Sequence, residues 1–242
     1  MIGLVLAAGA GSRLRPHTDA LPKTLLPVAG ELTILDIILR NLAAVGLADV
    51  AVVVGYAAAA VQARVPELER RHGVRLSLLH NDRADWNNAY SLWLARHAFA
   101  EGALLVNGDT VHPLDVEKTL LAERGPGVLI AVDGLKTLTD EAMKVRLDPS
   151  GRLLRITKQM PVADAHGEYI GAALIEARAA RDLAAALEAT WRRDPQLYYE
   201  DGFQLFADRT GDLRAARLGA FEWVEVDDPA DLARARDIAC RY

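Results

Sequence analysis

The 242-residue sequence predicts an α/β architecture, a mostly parallel sheet covered on both faces by helices. Two observations carry that prediction. Apolar runs of strand length alternate with stretches of helical period over roughly the first half of the chain, and that β-α-β-α-β-α-β order implies parallel strands with helices packed outside. The pattern then changes to two alternating runs about a turn, so a smaller, hairpin-containing part follows.

The elements justify this in order. "MIGLVLA" is the first strand and runs into a loop carrying Gly9 and Gly11. "ILDIILRNLAAVG" has helical spacing and stops at Gly46, a residue suited to a helix C-terminus. "DVAVVVG" is a short β-branched strand, and the helix over "AAAAVQARVPELERRHG" is expected to break or bend at Pro66. "VRLSLLH" is a third strand, "NAYSLWLARHAFA" a helix, "GALLVNGD" a fourth strand, and "GVLIAVD" another apolar run. "MKVRLDPSGRLLRITKQ" is two alternating runs about "DPSG", a hairpin signal. "EYIGAALIEA" adds a strand and "ARAARDLAAALEATWRR" an amphipathic helix. The remainder returns to "LRAARLG", "FEWVEVD" and a helix opening at Pro229.

Composition narrows the function classes. The formal net charge of -5 argues against a general nucleic-acid coat, so a polyanionic ligand has to be met by local cations. Cys240 is the only cysteine, which excludes an intrachain disulfide and suits a reducing, cytoplasmic setting. The longest apolar run, Val50 to Val61, is too short to span a bilayer, and no basic stretch precedes the first strand as a signal peptide requires. No repeat or linker divides the chain. It is expected to form one domain, with a nucleotide-binding core of about 1–133, an acceptor-binding part of about 134–210, and 211–242 completing the core.

The loop after the first strand carries the strongest chemistry. A dinucleotide fingerprint would need a glycine where Leu14 stands, and the phosphate loop that ends in Gly-Lys-Ser/Thr is absent. What remains is glycines at 9 and 11, which let backbone N–H groups approach phosphates, with Arg13 and Lys23 to neutralise them. Asp109 ends the strand "ALLVN", and ligands of open parallel sheets bind beyond that edge. Asp227 follows "FEWVEV" in the same way, while Asp228 before Pro229 suits a helix N-cap. Carboxylates so placed can hold Mg²⁺, which prefers oxygen ligands and keeps phosphates in its shell.

The stretch "LAAGAGSRLRPHTDALPKTLLPV" resembles the signature of the nucleotidyltransferases that activate sugar phosphates and similar small molecules. It departs only in Thr24, where proline is frequent. That resemblance implies a Rossmann-like core, attack on the α-phosphate of an NTP, and release of pyrophosphate. It places Leu6, Ala8, Gly9, Gly11 and Ser12 on the nucleotide and makes Arg13 and Lys23 catalytic. It puts Asp109 and Asp227 on Mg²⁺ and sets Lys158 against the acceptor phosphate. "NNAYSLWLA", "DEAMKV" and "YYEDGF" are more similar to the branch of cytidylyltransferases acting on phosphocholine, inositol phosphate or phosphonates. By that likeness Asn81 approaches the base, and Asn88 and Ser91 line the nucleotide site. Asn87 and Asn88 are also helix-cap residues.

Lys144 joins Lys158 as an acceptor-side cation, with Glu200 and Asp201 for a cationic or hydroxylated group. Trp86, Trp191, Tyr198 and Tyr199 are candidates for part of an aromatic cage for a quaternary ammonium, with ordinary packing the favoured reading for most of them in a chain of 6% aromatics. The expected partners are an NTP, CTP above others, and a small phosphorylated or phosphonate acceptor. A homodimer stays open. Guanylyl, uridylyl or adenylyl transfer to a sugar or cyclitol phosphate is the alternative within enzymes. A non-catalytic nucleotide-binding module is the alternative outside them.

Overall fold

A computed structural model describes residues 1–83 and 85–241 of the chain. Its elements, in chain order, are β1 (Ile2–Ala7), β2 (Pro27–Ala29), β3 (Leu32–Thr33), α1 (Ile34–Ala44), β4 (Asp49–Val54), α2 (Ala58–His72) and β5 (Arg75–His80). Then come α3 (Asn88–Leu94), β6 (Ala103–Asn107), β7 (Thr110–Val111), α4 (Asp115–Ala122), β8 (Val128–Asp133), β9 (Lys144–Leu147) and β10 (Leu153–Thr157). The last are β11 (Gly167–Ile175), α5 (Ala180–Arg193), α6 (Tyr199–Thr210), β12 (Leu213–Arg217), β13 (Val224–Glu225) and α7 (Pro229–Ala239).

The predicted parallel core is present as β6-β1-β4-β5, with Gly3 opposite both Val50 and Leu104. It belongs to a nine-stranded sheet, extended through β11 to β8 and β12 and to the hairpin β9-β10. Following the pairings outward, only β10 and β11 run against the rest.

Alternate side chains serve two hydrophobic cores, one on each face. Val5, Leu104 and Val106 pack with Ile34, Leu68, Leu120 and Leu232 of α1, α2, α4 and α7. Leu4, Ala103 and Leu105 pack with Leu92, Leu187 and Phe203 of α3, α5 and α6. Burial on both faces is why the strands carry so few polar residues. Among the described residues no helix is long and apolar enough to cross a membrane.

Several details position the functional region. Along one edge β11 exchanges β9 for β6 as its partner, and Gly171 lies at the change with φ +81. A Cβ there would approach the Asn107 amide nitrogen to 2.6 Å, so glycine lets that side chain cross the strand. The hairpin is tied to α6, because Gln204 Oε1 accepts from the Ile156 N–H at 2.9 Å. α2 runs unbroken through Pro66, contrary to the expected interruption. α4 and α6 are helices that the sequence pattern left unassigned.

Candidate active site

The loop between β1 and β2 is held from within. Thr18 Oγ1 donates to the Gly11 carbonyl at 2.8 Å, and the Tyr56 hydroxyl bonds to the Thr18 and Asp19 carbonyls. This brings Lys23 across the C-terminal end of the sheet. Its ammonium lies 3.1 Å from Asp109 Oδ2 and 2.7 Å from Asp227 Oδ1, and Arg13 reaches Asp227 Oδ2 at 2.8 Å.

What joins the two aspartates is a small antiparallel ladder. β7 pairs with β13, setting Thr110 opposite Glu225 and Val111 opposite Val224, and the Val226 N–H donates to the Asp109 carbonyl at 2.9 Å. One oxygen from each of Asp109, Glu225 and Asp227 then falls within 4.8 Å of the others. Glu225 keeps an exposed face yet stands deep among neighbouring atoms. That desolvation, and then the charges of Asp109 and Asp227, push its pKa up to about 8. Asp227 goes the other way: burial alone would raise it, but Lys23 and Arg13 hold its carboxyl below the usual range. The ammonium of Lys23 is held above its ordinary range against burial by Asp109 and Asp227.

These residues suit a hard divalent cation. The donors are all carboxylate oxygens, and Asp109 Oδ1 is buried without a hydrogen-bond partner. Asp228 is committed elsewhere: its Oδ1 accepts from the Ala230 and Asp231 N–H groups, capping α7 with Pro229 at the first helical position.

Beside the carboxylates lies a cleft of about 200 Å³ that brings together Leu6, Ala8, Gly9, Asn81, Asn88 and Ser91. Asn81 is locked: its Nδ2 donates to Ser91 Oγ at 2.9 Å and its Oδ1 accepts the Arg83 N–H at 2.7 Å. Gly11 lines an adjoining groove with Lys23 and Asp109, while Ser12 is exposed and lines neither. Asn87 Oδ1 accepts the Asn88 N–H at the start of α3, and Asn88 Oδ1 instead accepts from the Tyr199 N–H of α6.

A second cleft of about 220 Å³ holds Lys158, Tyr198, Glu200 and Asp201. Lys158 Nζ stands 5.6 Å from the Tyr198 ring centroid, and its charge favours the ionised forms of both Glu200 and Asp227. Glu200 is buried, and burial first, then the Asp201 charge, pushes its pKa up to about 8.

One sequence expectation needs correction here. Lys144 is not available to an acceptor: it is 1% exposed, and its ammonium donates to the carbonyls of Thr139, Asp140 and Ala142. An ammonium has three donors, so this lysine is saturated by the loop it braces. The four aromatics form no cage and pack as the favoured reading had it for most of them. Trp86 and Trp191 pack with Tyr90 and Trp93, Tyr198 lies beside Lys158, and the Tyr199 hydroxyl meets Asn107 and Tyr169 inside the core.

Residues 2–125 match the nucleotidyl transferase family. The chain belongs to that family. Among its relatives, "Bifunctional IPC transferase and DIPP synthase" of Aquifex aeolicus is 25% identical over 96% of this chain and 50% of its own length. "CMP-5'-(3-aminopropyl)phosphonate synthase" of Streptomyces rubellomurinus is 33% identical over 96% of this chain and 38% of its own. The chain thus spans half or less of these curated relatives. In fold it superposes on the inositol-1-phosphate CTP transferase from T. maritima with a TM-score of 0.84 at 21% identity, covering 99% and 94% of the two chains.

In this member of the family the sequence reading missed Glu225 and Asn107, which line the first cleft, and gave Trp86, which also lines it, to the acceptor side. Glu225 did leave a signal, since residues two apart on a strand share a face and "EVD" puts it beside Asp227. Asn107 left none.

Proposed function

We propose that this chain is an Mg²⁺-dependent cytidylyltransferase that moves CMP from CTP to a small phosphorylated alcohol, cyclitol or phosphonate. The observation that carries the reading is the carboxylate cluster Asp109, Glu225 and Asp227, with Lys23 and Arg13 upon it, between two clefts. On this reading the first cleft takes the nucleoside, the loop from Gly9 to Lys23 the triphosphate, and the Lys158 cleft the acceptor. The core of about 1–133 with 211–242 then serves the nucleotide and about 134–210 the acceptor.

In the reaction an oxygen of the acceptor phosphate or phosphonate forms a bond to the α-phosphorus, the bond to the bridging oxygen breaks, and pyrophosphate leaves with the electron pair. Asp109, Glu225 and Asp227 would hold the metal, which when bound offsets phosphate charge. Two anions must be brought together in line, so cations have to stand on both sides of the bond being made. Lys23 and Arg13 belong to the leaving triphosphate because they lie on the loop after β1. Lys158 belongs to the acceptor because it follows β10 in the second cleft. Cytosine is favoured over other bases by the CMP and CTP named in the relatives.

Pyrophosphate release, measured with each of four NTPs against phosphocholine, inositol 1-phosphate, 3-aminopropylphosphonate and sugar 1-phosphates, tests this. Release with CTP, abolished by chelator and restored by Mg²⁺, is the expected result. Release with another NTP alone would replace the base assignment, and nucleotide binding without release from any pair would replace transfer with binding.

A further inference from the structure

The two clefts are stitched along one wall. The Asn87 N–H donates to the Pro195 carbonyl at 2.8 Å, and Asn87 Nδ2 donates to the Gln196 carbonyl at 3.0 Å. Gln196 Nε2 returns a bond to the Asp85 carbonyl at 3.3 Å, and the Tyr199 N–H donates to Asn88 Oδ1 at 2.8 Å. Deeper in, the Tyr199 hydroxyl bonds Asn107 Oδ1 at 2.9 Å and the Tyr169 hydroxyl at 3.0 Å. Asn87, Asn88 and Asn107 line the first cleft, whereas Gln196, Tyr198 and Glu200 line the second.

We infer that Tyr199 and its bonds to Asn88 and Asn107 couple the clefts, so that filling the first orders the first turn of α6 and with it the acceptor-reading groups of the second. The inference rests on the assignment of nucleotide and acceptor clefts proposed above. Its physical basis is the helix terminus. The first N–H groups of a helix have no partner within it, and here the Tyr199 N–H takes one from the nucleotide side. A nucleotide that restrains Asn88 and Asn107 therefore restrains the backbone on which Glu200 and Asp201 ride. An acceptor then meets groups already ordered, and by reciprocity it tightens nucleotide binding by the same factor. Tyr199 touches neither substrate in this scheme and acts as a positioning residue.

Amide hydrogen exchange tests the coupling without knowing the acceptor. With Mg²⁺ and whichever of the four NTPs slows exchange at residues 8–13, exchange at residues 197–203 should slow at least fivefold, the lower range of such couplings. Tyr199→Phe keeps the ring in place, removes the tie to Asn107 and leaves the backbone tie to Asn88, so it should at least halve that slowing while residues 8–13 stay protected. In turnover the same variant should raise acceptor KM at least fivefold with nucleotide KM unchanged, a split that general destabilisation would not produce. Should that variant fail to fold, the wild-type exchange comparison decides alone. Protection of residues 8–13 with none at 197–203 in the wild type overturns the coupling. No protection at residues 8–13 by any NTP overturns the nucleotide assignment beneath it.

Discussion

Replacing Lys23 by Met tests the centre of the site, because it keeps the aliphatic stem and removes the charge. In the wild type that ammonium answers Asp109 and Asp227 at 3.1 and 2.7 Å. Without it, Glu225 and Asp227 lose most of their compensation within a cluster spanning 4.8 Å. An opposite unit charge about 3 Å away stabilises a carboxylate by roughly 1.4 kcal/mol in water and about 5.5 kcal/mol at an effective dielectric constant near 20, and that attraction is what the variant removes. The cleft is partly open, so the lost attraction lies between these limits.

The sign follows from linkage. Glu225, already raised to about 8, rises further, and Asp227 loses its depression. A carboxyl whose folded pKa lies above its unfolded one contributes stability below the unfolded pKa that is lost as pH rises through the folded one. The variant should therefore lose stability relative to wild type in two steps, one on the acid side as Asp227 ionises without Lys23 and one above about pH 8 as Glu225 holds its proton longer than in the wild type, and Mg²⁺ should recover part of it. Turnover should fall a hundredfold or more, as removal of one positioned charge-stabilising donor does. Thermal denaturation across pH with and without Mg²⁺, beside steady-state pyrophosphate release, measures both. Turnover within tenfold of wild type, or a pH–stability profile parallel to it, would refute the role assigned to Lys23.

Lys158→Ala should leave nucleotide affinity within about twofold while lowering kcat/KM for the acceptor a hundredfold or more, read by calorimetry with Mg²⁺ and CTP beside acceptor kinetics; lost CTP affinity with intact acceptor kinetics would move Lys158 to the other substrate. Asp227→Asn should abolish turnover in a folded protein. Asp228→Ala should instead cost about 1 kcal/mol of stability through the lost α7 cap and leave kcat nearly unchanged, and the reverse pattern would exchange their roles. Glu117, buried in α4, has its pKa pushed up to about 8 chiefly by burial, so the folded protein carries a proton that the unfolded chain releases near pH 4.5. Its stability contribution is lost as pH rises from there through about 8, and Glu117→Gln should flatten chemical-denaturation stability over that window, by up to about 1.4 kcal/mol per pH unit. An unchanged slope would mean that Glu117 is ionised in the fold.

Much of this protein was legible from its sequence because the determining interactions are local. Strand and helix periods placed the parallel core, and Asp228 before Pro229 marked the helix start, since each depends on residues a few positions apart. The cation loop from Gly9 to Val28 is likewise one continuous segment. α6 escaped because Gly202 interrupts a helical pattern, and its reason lies in another helix: a Cβ there would come within 2.6 Å of Leu187 Cδ2 on α5. Lys144 looked like an exposed charge because composition does not register three carbonyls closing over an ammonium. The joining of Asp109 to Glu225 and Asp227 was decided only by the pairing of β7 with β13, and the common wall of the clefts only by α6 docking against the start of α3. Periodicity encodes which face of a segment is apolar, whereas convergence of distant carboxylates and amides depends on which segments pair, and that is settled by the packing of the whole chain.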